Sequence, residues 1–223
     1  MNDVKWERYG ALAGLVFVVL VVIAAFIAGA PPQPSDSPRQ IQEFYRDHER
    51  ALKAGVFLSG VGAVAFLCFI ASLSRTLRGR GLATVAAGGG VVTIGFALVS
   101  GAITSTTALR IGDLAPEQAK FFYSLQTMVI GMTSFSIAAL VAATSIATLR
   151  VQETATSGSS VLPFPAWLGW VSAALALAWL VAGLGVASER SVLFIYGFVI
   201  FLVWLVWVLV ISYFLLRPQR HAA

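Results

Sequence analysis

The residues of this chain that could do acid–base, metal or nucleophile chemistry are few, and their spacing does not support it. His48-Glu49 opens the pattern of a helical zinc protease, but Leu52 stands where the second histidine must be, so two imidazoles cannot meet a metal on one helix face. A serine nucleophile such as Ser100 needs a histidine base within reach. Both histidines, His48 and His221, lie outside the apolar stretches that hold the serines, which also deprives a membrane haem of axial ligands. Cys68 is the single cysteine, so neither a disulfide nor dithiol chemistry can form within the chain. The residues provide no catalytic set, no metal site and no cofactor site.

What remains are side chains suited to binding. Phe44, Tyr45 and His48 lie close together on one short segment, where His48 could respond to external acidity. They could equally be interfacial residues of an amphipathic helix. Trp204 and Trp207 could line a pocket for a flat apolar ligand, or serve as packing. These five residues are the candidate ligand-binding set.

The elements that must position them are legible from charge. All fifteen basic and all ten acidic residues fall between six uncharged stretches: 10–30, 54–74, 82–109, 121–149, 161–187 and 192–216. Each reaches the ~20 residues with which a helix crosses ~30 Å of hydrocarbon. A composition of 58% hydrophobic and 11% charged residues fits a membrane protein, since a soluble chain carries ~25% charged residues. The net charge of +5 comes from bases flanking apolar stretches, which suits lipid headgroups and gives no stripe for nucleic acid. The first stretch resembles a signal peptide in Ala28-Gly29-Ala30, but it is too long for a signal core and Pro31-Pro32 follow, so it reads as a retained span.

The expected architecture is all-α: a six-transmembrane-helix bundle, with the fifth span beginning near residue 165, in a single membrane domain. Orientation follows the turn from Arg75 to Gly81, which holds Arg75, Arg78 and Arg80 and no acid. That turn reads as cytoplasmic and puts both termini inside a plasma membrane. Between the first two spans, Ser37 can cap a helix with Pro38 at its first position and Gln40 closing a capping box. Ile41, Phe44, Tyr45, His48 and Leu52 then recur at helical spacing. An amphipathic outer helix over about 38–50 is predicted, lying on the membrane or extending the second span upward.

A related pattern returns 78 residues later: Pro116, Gln118, Phe122 and Tyr123 match Pro38, Gln40, Phe44 and Tyr45. A duplicated hairpin would produce this. So would two helix starts at an interface, both favouring proline, glutamine and aromatics. In the third stretch Ala86, Gly90, Thr93, Ala97, Gly101, Thr104 and Ala108 form a small-residue seam, with Gly90, Ala97 and Gly101 as the packing candidates. The seam predicts that this is the central, most enclosed span. The fourth stretch is rich in hydroxyls, including Thr133, Ser134 and Ser136.

The segment holding Pro38, Phe44, Tyr45, His48 and Arg50, the Gly-rich second stretch and the Arg75-Arg78 turn together resemble an uncharacterised family of bacterial multi-pass membrane proteins. That resemblance covers about the first third of the chain and implies no activity. Size and span number are also similar to the substrate-binding subunits of vitamin uptake transporters, an analogy of fold alone. The functional expectation is non-enzymatic binding of a partner protein or an apolar, lipid-like ligand. A small transporter component for a neutral solute is the alternative, and an enzyme using the outer acidic and histidine residues is a third. Expected partners are membrane lipids and a partner membrane protein or a second copy of the chain.

Overall fold

The computed structural model describes residues 3–77, 80–155, 164–187 and 191–217. His221 and residues 156–163 lie outside them, as do Arg78, Arg190 and Arg220. The described chain is an all-α bundle with six helical spans long and apolar enough to cross a membrane. It is an integral membrane fold.

In chain order, α1 (Asp3–Ala28) is the first span, α2 (Pro38–Asp47) a short helix between spans and α3 (Glu49–Thr76) the second span. Then come α4 (Arg80–Arg110), α5 (Pro116–Gly131), α6 (Thr133–Ala155), α7 (Ala166–Gly183) and α8 (Ser191–Leu216). A 3-10 turn over Leu184–Ala187 ends the fifth span. The stretch expected as one helix over 121–149 is therefore two, α5 and α6, parted at Met132.

The capping box at Ser37 forms. The Ser37 N–H donates to Gln40 Oε1 at 2.9 Å and the Gln40 N–H to Ser37 Oγ at 3.4 Å, satisfying donors that a helix start leaves orphaned. The second copy of the pattern closes half of the same box, with the Ala115 N–H donating to Gln118 Oε1 at 3.0 Å. The helix predicted to reach residue 50 stops at Asp47, because His48 leaves helical geometry before α3 begins at Glu49. It is joined to α3 through His48 alone.

The two copies meet. Ile41 and Tyr45 of α2 and their counterparts Ala119 and Tyr123 of α5 are all buried in one small apolar cluster, with the tyrosine rings 6.4 Å apart.

The small-residue seam works differently from the expectation. Gly90 faces α3, where an added Cβ would lie 2.7 Å from Ile70, and at Gly101 it would lie 3.2 Å from Val56. Ala97 is exposed and lines a cleft. Gly89 meets main chain instead: its added Cβ would lie 2.7 Å from the Ser136 carbonyl oxygen of α6. Helix α4 thus meets α3 and α6 on two adjacent faces and α5 beside them, yet only 22% of this span is buried, against 56% for the α5–α6 span. The most enclosed span is the fourth, not the third.

Candidate ligand clefts

The break between α5 and α6 organises the interior. Gly131 is a poor helix former, and Thr133 donates its hydroxyl proton to the Ile130 carbonyl at 2.6 Å, drawing that acceptor out of the regular ladder. The Phe135 N–H then reaches only to the Met132 carbonyl, at 3.3 Å, a tighter three-residue step. A discontinuity deep in a span is sustained where it is buried in protein or lines a cavity. Here it does the second.

Two clefts flank it. The first, of about 360 Å³, lies between α5, the start of α6, α7 and α8, with Pro34 of the α1–α2 loop also lining it. Its walls include Met128, Trp179, Phe194, Phe198 and Phe201, and its polar atoms come from Ser124, Thr127, Thr133 and Ser134. The second, of about 320 Å³, lies among α1, α3, α4 and α8. Phe17, Val56, Phe66, Ile94 and Trp204 supply its apolar wall, and Ser59, Thr93, Ser100, Thr104 and Thr133 its hydroxyls. Among the described residues, no charged side chain and no histidine lines either cleft. An ionic ligand would find no counter-charge there, at a depth where an unpaired charge is costly.

Trp204 is the hub of the interior. It is 2% exposed, and its ring lies 5.5 to 6.3 Å from those of Phe66, Phe17, Phe201 and Trp179. Its indole Nε1 has no hydrogen-bond partner among the described residues. Trp207, one turn on, is equally buried but faces α7, donating from Nε1 to Ser172 Oγ at 2.9 Å. The two tryptophans considered together in the sequence therefore separate: Trp204 lines the second cleft and Trp207 ties α8 to α7.

Phe44, Tyr45 and His48 come together but line neither cleft. Tyr45 is 1% exposed and donates to Gln126 Oε1 at 2.6 Å, fastening α2 to α5. Burial, then the neighbouring Tyr123, push its pKa well above the ordinary tyrosine range, so it stays a donor. The His48 ring stacks on Phe44 with centroids 4.6 Å apart, its Nδ1 3.0 Å from the Phe44 carbonyl. It also packs against Gly29, whose φ of 76° turns the chain out of α1 in a conformation glycine adopts freely. Further bonds brace this layer: Tyr123 donates to the Pro32 carbonyl, Gln42 Nε2 to that of Leu114 at 2.7 Å, and Lys120 Nζ to that of Asp36 at 3.1 Å.

A polar seam crosses the bundle beside the break. Thr93 Oγ1 of α4 lies 2.8 Å from the Gly89 carbonyl and 2.8 Å from Ser136 Oγ of α6, which lies 3.0 Å from the Thr133 carbonyl. On the second cleft, Ser100 Oγ donates to the Gln126 carbonyl at 3.3 Å, and Thr104 Oγ1 to that of Ser100 at 2.9 Å.

Sequence reasoning missed Phe201, Thr133, Gly60 and Gly197 as cleft residues. The available signal was Gly131-Met-Thr-Ser134, a flexible residue and two hydroxyls in mid-span, which marks a discontinuous helix more than a packing face. Comparison with protein-family models, curated proteins and solved structures finds no match to this chain.

Proposed function

We propose that this protein is a non-enzymatic binder of a small, neutral, apolar ligand in the plasma membrane, with the first cleft as the primary site. The observation that carries the reading is an uncharged, aromatic-walled cleft with a few hydroxyls, built around a helix break. At ~30 Å³ per water-sized group, it holds about a dozen non-hydrogen atoms, enough for a chain segment or small ring system but not a two-chain lipid. Lipid tails are as apolar as these walls, so apolar burial gives no selectivity. Discrimination must come from shape, aromatic contact and the hydroxyls.

Gly197 provides the test. It lines this cleft, and a Cβ added there meets nothing within 4 Å. Gly197→Phe should fill the cleft without disturbing the bundle, lowering retention of neutral apolar molecules by about tenfold in mass spectra of detergent-purified protein. Gly88→Phe, at an exposed glycine with nothing within 4 Å, should leave retention unchanged. Equal retention in both variants would remove the cleft from the function.

A second reading, passage of a neutral solute, is favoured by one observation: clefts lie on both sides of the same break. Ordered water filling the clefts, in place of an apolar molecule, would favour passage. For orientation, the arginine turn supports cytoplasmic termini. In a Cys68→Ala background, a cysteine at Ser35 should react with an impermeant thiol reagent on intact cells and one at Gly81 should not. The opposite labelling pattern inverts the topology.

A further inference from the structure

The two clefts are not independent cavities. Ile130, Thr133 and Phe201 line both, so a partition one residue thick separates them, beside the α5–α6 break. The volumes are close, about 360 and 320 Å³. Each by itself fits a fragment, and together they match a chain about twice as long.

The second cleft also selects for a type of head group. A hydroxyl carries one proton and two acceptor sites. Thr104, Ser100 and Thr133 each direct that proton to a backbone carbonyl, of Ser100, Gln126 and Ile130 respectively. Their oxygens remain as acceptors on residues lining the cleft. Trp204, on the same cleft, adds an indole N–H with no partner among the described residues, and Ser59 adds a further hydroxyl, so a group that both donates and accepts, as an alcohol does, is served there. With no charged side chain lining the cleft among the described residues, that group must be neutral.

We propose that the two clefts are the ends of one site for a neutral single-chain lipid alcohol, its hydroxyl in the second cleft and its chain passing Phe201 into the first. This rests on the ligand-binding reading above and adds head-group chemistry, chain length and a single occupancy. Phe201 acts as the divider around which the chain bends.

The test is native mass spectrometry of the full chain in mild detergent, titrated with geraniol, geranylgeraniol and geranylgeranyl acetate. Gly60→Phe blocks the second cleft, since Gly60 lines it and an added Cβ meets nothing within 4 Å. Gly197→Phe blocks the first. The expected result is one geranylgeraniol per protein, with affinity reduced about tenfold by either variant and little further by both together. The acetate, which has the same chain but no donor, should bind at least about tenfold more weakly than the alcohol. Two bound molecules, each removed by one variant only, would overturn the single site. Acetate binding equal to the alcohol's would overturn the head-group assignment. Geraniol bound and displaced only by Gly197→Phe would sink this inference while leaving the first-cleft reading intact; no loss of any ligand in either variant would sink both.

Discussion

Gly89→Ala should lower the thermal stability of the purified protein markedly, while Gly88→Ala, one residue away, should be nearly silent. The added Cβ at Gly89 would lie 2.7 Å from the Ser136 carbonyl oxygen and 3.0 and 3.3 Å from the Leu140 backbone nitrogen and Cα. All three are main-chain atoms of α6, so nothing can rotate aside and the helices must separate. Overpacking of this kind costs about 1–3 kcal/mol in protein cores. Gly90→Ala should fall between the two, because its obstacle is the Ile70 side chain, which can partly yield. Thermal unfolding of the three variants in one detergent measures the order. Equal stability at positions 88 and 89 would mean that α4 and α6 do not meet there.

Trp204→Ala should be the most damaging aromatic truncation, and Trp204→Phe among the mildest. Alanine leaves a void facing four aromatic rings, and large-to-small changes at buried tryptophan cost about 3–5 kcal/mol. Phenylalanine keeps most of those contacts and abandons an indole N–H that has no partner among the described residues. The comparison is Trp207→Phe, which loses the bond to Ser172, worth about 0.6 kcal/mol on average between membrane helices. A stability ranking in which Trp204→Phe falls below Trp207→Phe would show that the Trp204 N–H has a partner after all.

The spans were legible because length and absence of charge are sufficient in a bilayer, where backbone groups must pair internally. The start of α2 was legible for a local reason: Ser37, Pro38 and Gln40 complete their own box within one turn. The break at Met132 was not, since neither proline nor charge interrupts 121–149. The role of Gly89 was hidden by reading α4 as a helix with one packing face, when adjacent residues of this helix serve two neighbours. The clefts were least legible of all. Their walls come from residues as far apart as Phe17 and Trp204, and a cleft depends on side chains that fail to meet, which no local spacing records.

The seam joining Thr93 and Ser136 has a consequence that follows from counting protons. Three short contacts run from the Gly89 carbonyl through the two hydroxyls to the Thr133 carbonyl, and two hydroxyls hold only two protons between them. Keeping the central contact bonded leaves one end without a proton: the Thr133 end when both hydroxyls donate toward α4, the Gly89 end when both donate toward α6. The two arrangements contain the same number of bonds and interconvert by rotating two hydroxyls, with no heavy atom displaced. Helices α4 and α6 are thereby joined beside the break by a link that persists while its polarity reverses.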